Sequence, residues 1–275
     1  MSQVDGGTPE VREFTTDTGV IAYEVLEPAQ AEPVETVLLL HNFMSTGRMA
    51  WGPIALELRE RYRVILPDLP GHGRSRGYPA DFNHRAIAAQ IAALLESEGA
   101  SAPHVAGCSG GGIMALWLAH DGPVTPATLT LVSATYSINP ETTGVQPSLR
   151  PESFQAGRSW LEATARLHDV HQGEGYFNRT LLPAFRRLTP ESAIDLSPAA
   201  LASLTMPACV IHGDQDEIFP VELARQLAEG LPNAELHIIP GQSHDLIFRR
   251  RWVVSERMRD FLARHPMRAA SPKGI

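Results

Sequence analysis

Eight short strand-like segments, most of them followed by a stretch of helical periodicity, constrain this 275-residue chain more than any other feature. Val37-Leu38-Leu39-Leu40, within Glu35–His41, is apolar at every position. A strand with one wet face would show a polar residue at every second position, so this pattern suits a strand buried on both faces. Tyr62–Pro67, His104–Cys108, Thr128–Ser133, Pro207–His212 and Glu235–Ile239 also read as strands. Val11–Thr16 and Val20–Glu27 read as two earlier strands around a turn at Asp17-Thr18-Gly19. Helices are predicted at Ala50–Arg59, Asp81–Glu98, Gly111–His120, Val221–Glu229 and Trp252–Arg264. Asp81 suits an N-cap and Gly99 a helix stop. Parallel strands need crossover helices, and those helices cover both faces of a sheet. The expected fold class is therefore α/β, with a mainly parallel sheet.

The alternation stops between about Ser137 and Ser203. Glu152–His168 and Gly175–Arg187 have helical patterns there, interleaved with Phe154, Trp160, Tyr176, Phe177 and Phe185. Prolines at 140, 147, 151, 183, 190 and 198 punctuate the stretch. The order of strands places it over the carboxyl edge of the sheet, where open α/β sheets bind ligands. The expected organisation is a core of residues 1–136 and 204–275 with a helical cap at 137–203. A peripheral helical layer is the alternative. As a roof, the cap would bring Tyr136, Trp160, Tyr176 and Phe177 to a pocket.

Composition narrows the function classes. The formal net charge of -8 opposes a polyanionic partner, so no nucleic-acid binding is expected. Two cysteines, Cys108 and Cys209, make no disulfide framework and fit a reducing compartment. Met1–Gly6 lacks a basic and apolar leader, and no apolar run approaches a membrane span. The expectation is a cytoplasmic protein with a small-molecule substrate and no membrane partner.

Gly107-Cys108-Ser109-Gly110-Gly111 falls between a predicted strand and a predicted helix. A sharp strand-to-helix turn there would push the Ser109 hydroxyl out of the sheet edge, to a helix N-terminus that favours negative charge. Such a turn tolerates no bulky Cβ beside the serine, which accounts for the flanking glycines. A serine hydroxyl needs a base, and His244 lies just after the last predicted strand, at the same edge as Ser109. The base in turn needs a carboxylate to fix its tautomer, and the end of Pro207–His212 leads to two, Asp214 and Asp216. His41-Asn42-Phe43-Met44 follows the most buried strand. The N–H groups of Phe43 and Gly110 could converge there on one oxygen, with Asn42 and Met44 beside the pocket. His168 and His171 are spaced as a possible metal pair, but solvated helix-face histidines are the expected reading. No cysteine-rich or H-E-x-x-H spacing occurs, and no metal or other cofactor is expected. Gly71-His72-Gly73-Arg74-Ser75-Arg76-Gly77 misses the dinucleotide fingerprint by one residue.

Taken together, His41-Asn42-Phe43, Asp68-x-x-Gly71-x-Gly73-x-Ser75, Gly107-x-Ser109-x-Gly111, Gly213-x-x-Asp216 and Gly241-x-x-His244 resemble the α/β-hydrolase superfamily. The resemblance spans about residues 11–264. It implies an eight-stranded, mainly parallel sheet with a helical cap. It also implies a triad of Ser109, Asp216 and His244, because the Gly-x-x-Asp pattern places the acid last. Gly107–Leu116, Tyr176–Thr180 and the His244 region are most similar to the valacyclovir-hydrolase or biphenyl-hydrolase-like branch. That branch carries an aspartate where this chain has Gly110, so uncharged acyl groups are expected here rather than α-amino ones. Asn42 replaces the usual glycine after the oxyanion-loop histidine, and asparagine tolerates the positive φ such a position can require. The implied activity is hydrolysis of a small or medium carboxylic ester, lactone or thioester. The same residues could serve carbon–carbon bond hydrolysis, a lyase reaction or acyl transfer, and a ligand-binding receptor could retain them.

Overall fold

The computed structural model describes residues 10–28, 35–77, 82–139, 142, 156–189 and 191–266. The strands are Glu10–Thr15 (β1), Val20–Leu26 (β2), Thr36–Leu40 (β3), Arg63–Pro67 (β4), His104–Cys108 (β5), Thr128–Val132 (β6), Ala208–Gly213 (β7) and Ala234–Ile239 (β8). They form one sheet in the order β1-β2-β4-β3-β5-β6-β7-β8. β1 and β2 pair antiparallel, as do β2 and β4, and every later pairing is parallel. β3 lies between β4 and β5, so the chain changes winding direction there and leaves a crevice at the carboxyl ends of β3 and β5.

The helices are Gly47–Leu58 (α1), His84–Ser97 (α2), Gly110–Asp121 (α3), Arg158–Gln172 (α4), Leu182–Arg186 (α5), Pro198–Ser203 (α6), Val221–Gly230 (α7), Leu246–Arg249 (α8) and Arg251–Arg264 (α9). Every residue of β3, β5, β6 and β7 is buried, the polar His104, Thr128, Thr130 and His212 included, as strands covered on both faces must be. Side chains alternate between two cores. Leu38, Leu40, Val105, Leu131 and Val210 face the layer containing α2, α3 and α7. Val37, Leu39, Ala106, Val132 and Ile211 face α1 and α9. Among the described residues no helix is long and apolar enough to cross a membrane.

Helix boundaries depart from expectation where a cap decides them. α1 begins at Gly47 rather than Ala50, because the Thr46 side chain accepts the Met49 N–H at 3.2 Å. α2 is capped by Asn83, which accepts the Ala86 N–H at 3.0 Å; Asp81 lies outside the described residues. Gly99 has φ +69 after that helix, as a stop should. The stretch between β6 and β7 carries α4, a π-helical turn at Phe177–Leu181, α5 and α6. Residues 152–155 and Phe154, part of the first helix expected there, lie outside the described residues.

At the β5–α3 junction the backbones approach closely. A Cβ on Gly111 would stand 2.2 Å from the Leu40 carbonyl oxygen of β3, and one on Gly107 would stand 2.3 Å from the Gly111 carbonyl oxygen. Both obstacles are backbone and cannot rotate away. Gly111→Ala is therefore expected to destabilise the protein by about 3 kcal/mol or more, the upper range for overpacking. Gly99→Ala, where nothing lies within 4 Å, should cost only about 1 kcal/mol for its left-handed backbone. Urea unfolding of the two variants compares these costs, and equal losses would remove the close-approach argument.

Candidate active site

Ser109 sits at the β5–α3 junction with φ 50 and ψ -118, a conformation few non-glycine residues adopt. Its N–H donates to the Val132 carbonyl at 2.9 Å, which ties the junction to β6. The hydroxyl lies 2.9 Å from His244 Nε2. His244 follows β8 and its Nδ1 lies 3.0 and 2.9 Å from the two carboxylate oxygens of Asp216. A carboxylate can only accept, so Nδ1 carries the proton and Nε2 is left to accept from Ser109.

Asp216 is held in turn. Its Oδ1 accepts the N–H groups of Ile218 (2.9 Å) and Phe219 (2.8 Å). His212 Nε2 lies 2.8 Å from the Phe219 carbonyl and 3.3 Å from Asp216 Oδ2, so its N–H is shared between them. His212 is the penultimate residue of β7. It is fully buried and adds a donor to the carboxylate. Asp214 turns away, accepting the Gly241 N–H at 2.6 Å.

The loop after β3 is fastened by three buried histidines. His41 Nδ1 donates to the Asn42 carbonyl and Nε2 accepts the Leu69 N–H, both at 2.7 Å. His72 Nε2 accepts the Met44 N–H at 3.0 Å, and Nδ1 donates to the Pro70 carbonyl at 3.1 Å. His168 of α4 accepts the Gly73 N–H at 2.9 Å and donates to the Met44 carbonyl at 3.2 Å. Both backbone groups of Met44 are thus taken by imidazoles. Positive φ occurs at Met44 (φ 65) and not at Asn42, where it was expected. His168 is fully buried, which corrects its reading as a solvated residue. The partners that bury it lie 95 and 124 residues away, beyond any local pattern.

This loop leaves the Phe43 N–H free of any acceptor among the described residues, and the Gly110 N–H is the first of a helix. A Cβ on Gly110 would lie 3.5 Å from Phe43 N, so the two donors are neighbours.

A model of the alpha/beta hydrolase family matches residues 37–256. The chain belongs to the alpha/beta hydrolase family. It is 25% identical over 270 residues to the uncharacterized hydrolase YugF of Bacillus subtilis, covering 92% of this chain and 97% of that protein. It is 26% identical over 234 residues to the serine hydrolase BPHL of Homo sapiens, covering 82% of this chain and 78% of that protein. The solved esterase RhEst1 of Rhodococcus sp. ECU1013 superposes with a TM-score of 0.70 at 24% identity, covering 93% and 99% of the two chains.

As in open α/β sheets generally, the crevice lies at the carboxyl edge of the sheet. A cavity of about 690 Å³ opens over Ser109 and His244, with Asn42, Met44, Cys108 and Ser133 on its floor and wall. Trp160, Ala163, Thr164 and Leu167 of α4 also line it. Tyr136, Tyr176 and Phe177 do not, which corrects three expected pocket residues. The Tyr136 hydroxyl donates to Gln226 Oε1 at 2.9 Å, and that of Tyr176 to the Gly71 carbonyl at 2.8 Å. Phe177 is fully buried and stacks on His168. The π-helical turn that begins at Phe177 inserts a residue into the helical repeat, so a 3.6-residue period misplaces the faces around it. Glu217 and Asp245 line the cavity as well, so carboxylates are present although position 110 has none.

Cys108 is adjacent to Ser109, but burial pushes its thiol up to about 12, which keeps it from acting as a thiolate at neutral pH. Among the described residues, Cys209, Glu235 and His237 are the trio close enough to share a metal ion. Arg264 already donates to both oxygens of that glutamate.

Burial pushes His41 and His84 down to about 4, and His72 well below its usual value. Unfolded histidines titrate near 6.5, so below that pH the unfolded chain binds more protons than the folded one. The stability gained by burying neutral rings is complete above about pH 6.5 and is lost as pH falls toward about 4. Protonation would also cost His72 and His168 the lone pairs that hold Met44 and Gly73. Thermal melts should show Tm falling steadily across this window, and a flat Tm would mean that the rings are not buried neutral.

Proposed function

We propose that this protein is a serine hydrolase that cleaves small or medium neutral carboxylic esters, lactones or thioesters through an acyl-enzyme on Ser109. The observation that carries the reading is the continuous chain from the Ser109 hydroxyl to His244 Nε2 (2.9 Å) and from Nδ1 to Asp216 (2.9 and 3.0 Å). His244 takes the hydroxyl proton as Ser109 attacks the carbonyl carbon. Asp216 stabilises the imidazolium and keeps its orientation. The N–H groups of Phe43 and Gly110 stabilise the oxyanion. His244 then protonates the leaving oxygen, and a water activated by the same ring releases the acid. In this reading residues 137–203 form the cap, with α4 as the part that reaches the cavity. Residues 1–136 and 204–275 form the core.

A volume of about 690 Å³ fits a small-molecule site, and its walls are mostly apolar. Met49, Trp160 and Phe248, among the exposed large apolar residues, fringe it. The charged lining among the described residues is acidic, Glu217 and Asp245, the latter already paired with Arg249. An acyl chain ending in a carboxylate would meet like charge there.

Ser109→Ala should lower kcat by about 10⁴ or more, and a fluorophosphonate should label Ser109 in the wild type. Asp216→Asn should cost far more activity than Asp214→Asn, because an asparagine at 216 favours the wrong imidazole tautomer. Full turnover of chromogenic esters by the Ser109 variant would overturn the mechanism.

For substrate charge, the measurement is kcat/KM for two esters that differ only in a terminal carboxylate. The neutral ester should be favoured by at least about tenfold. A preference for the anion would mean that the acidic wall does not face the acyl chain.

A further inference from the structure

Ser133 stands outside the machinery described so far. It follows β6 directly and takes φ 46, one of three non-glycine residues with positive φ among the described residues. The others are Ser109 and Met44, both already assigned to the site. Ser133 is 2% exposed and lines the cavity that holds Ser109 and His244. Its hydroxyl oxygen is buried and has no hydrogen-bond partner among the described residues. A buried hydroxyl without a partner has lost its water and gained nothing in return, so it calls for a ligand.

Sheet order says which ligand. β6 lies between β5, which carries Ser109, and β7, which leads to Asp216. The Phe43 loop follows β3, on the other side of β5. His244 follows β8 and reaches Ser109 across the ends of β7 and β6. Ser133 is thus on the histidine side of Ser109, opposite the oxyanion donors. In acyl transfer, that side takes the oxygen that exchanges a proton with the imidazole. The same place serves the leaving oxygen in acylation and the attacking water in deacylation.

Building on the proposed acyl-enzyme chemistry, we infer that Ser133 Oγ binds this exchanging oxygen. In deacylation the water gives one proton to His244 Nε2 and donates its other O–H to Ser133 Oγ. Its oxygen bonds to the acyl carbon, and the bond from that carbon to Ser109 Oγ then breaks. His244 returns its proton to Ser109. In acylation the Ser133 hydroxyl donates instead to the leaving oxygen. A nitrophenolate leaves readily without such help, whereas water attack needs positioning, so loss of the hydroxyl should show most in deacylation.

The experiment is stopped-flow hydrolysis of p-nitrophenyl butyrate by the wild type, Ser133→Ala and Ser133→Gly, with intact-mass detection of the butyryl-enzyme. Glycine relieves the positive φ, so it separates the hydroxyl from backbone strain. Both variants should keep an acylation rate within about threefold of wild type and lose deacylation by tenfold or more. The burst should grow, and butyryl-Ser109 should accumulate. Equal losses in both steps, or an unchanged ratio in the glycine variant, would overturn the role of Ser133. A wild type that never carries an acyl group or fluorophosphonate on Ser109 would instead overturn the hydrolase chemistry, and this inference with it.

Discussion

The backbone contact between Gly111 and the Leu40 carbonyl fixes the geometry of everything at the sheet edge. A Cβ at Gly111 would overlap that oxygen at 2.2 Å, so only glycine lets α3 start directly against the end of β3. The chain must then turn within Ser109, which explains its φ of 50. The turn puts the hydroxyl at the edge and the Gly110 N–H next to Phe43. Gly112 is confined as well, by Ala134. Gly110 has nothing closer than 3.5 Å to its missing Cβ and could carry a side chain. The glycines around the serine thus divide into three that packing demands and one that it does not.

A second constraint holds the loop after β3. Hydrogen bonds from neutral imidazoles replace the regular backbone pairing that a loop lacks. Each neutral ring offers one donor and one acceptor, so His72 and His168 can satisfy a carbonyl and an N–H on different segments. His72 joins the loop to Asp68–Ser75, and His168 joins both to α4. Asp68 completes the assembly, accepting the Gly47 N–H at the start of α1 and both the N–H and the side chain of Arg74. The loop is therefore set by contacts with three separate elements. Its rigidity depends on the rings staying uncharged, which links the site's geometry to pH through burial.

Features that depend on nearby residues were legible before the structure. All eight strands appear within one or two residues of their expected bounds, because β-branched and apolar residues within them and turn residues between them are local signals. Ser109, His244 and the two aspartates after β7 were identifiable because each directly follows a strand or lies at a glycine turn. The choice between Asp214 and Asp216 came from family resemblance, and of the two only Asp216 stands against His244. Helix starts were less legible, since Thr46 and Asn83 cap through side chains that compete with other polar residues nearby.

By itself, the sequence determined the α/β class, the crevice edge and the residues that gather there, since hydrophobic period and glycine sterics act over a few residues. Tertiary structure decided what each residue meets across the chain. It put Trp160 on the cavity but turned Tyr136, Tyr176 and Phe177 away, because one π-helical turn and distant acceptors reset their directions. It buried His168, moved the strained backbone from Asn42 to Met44, and left Ser133 with an unpaired hydroxyl beside Ser109. None of these follows from local composition, because the deciding partner lies in another element and is brought close only when the sheet closes its layers.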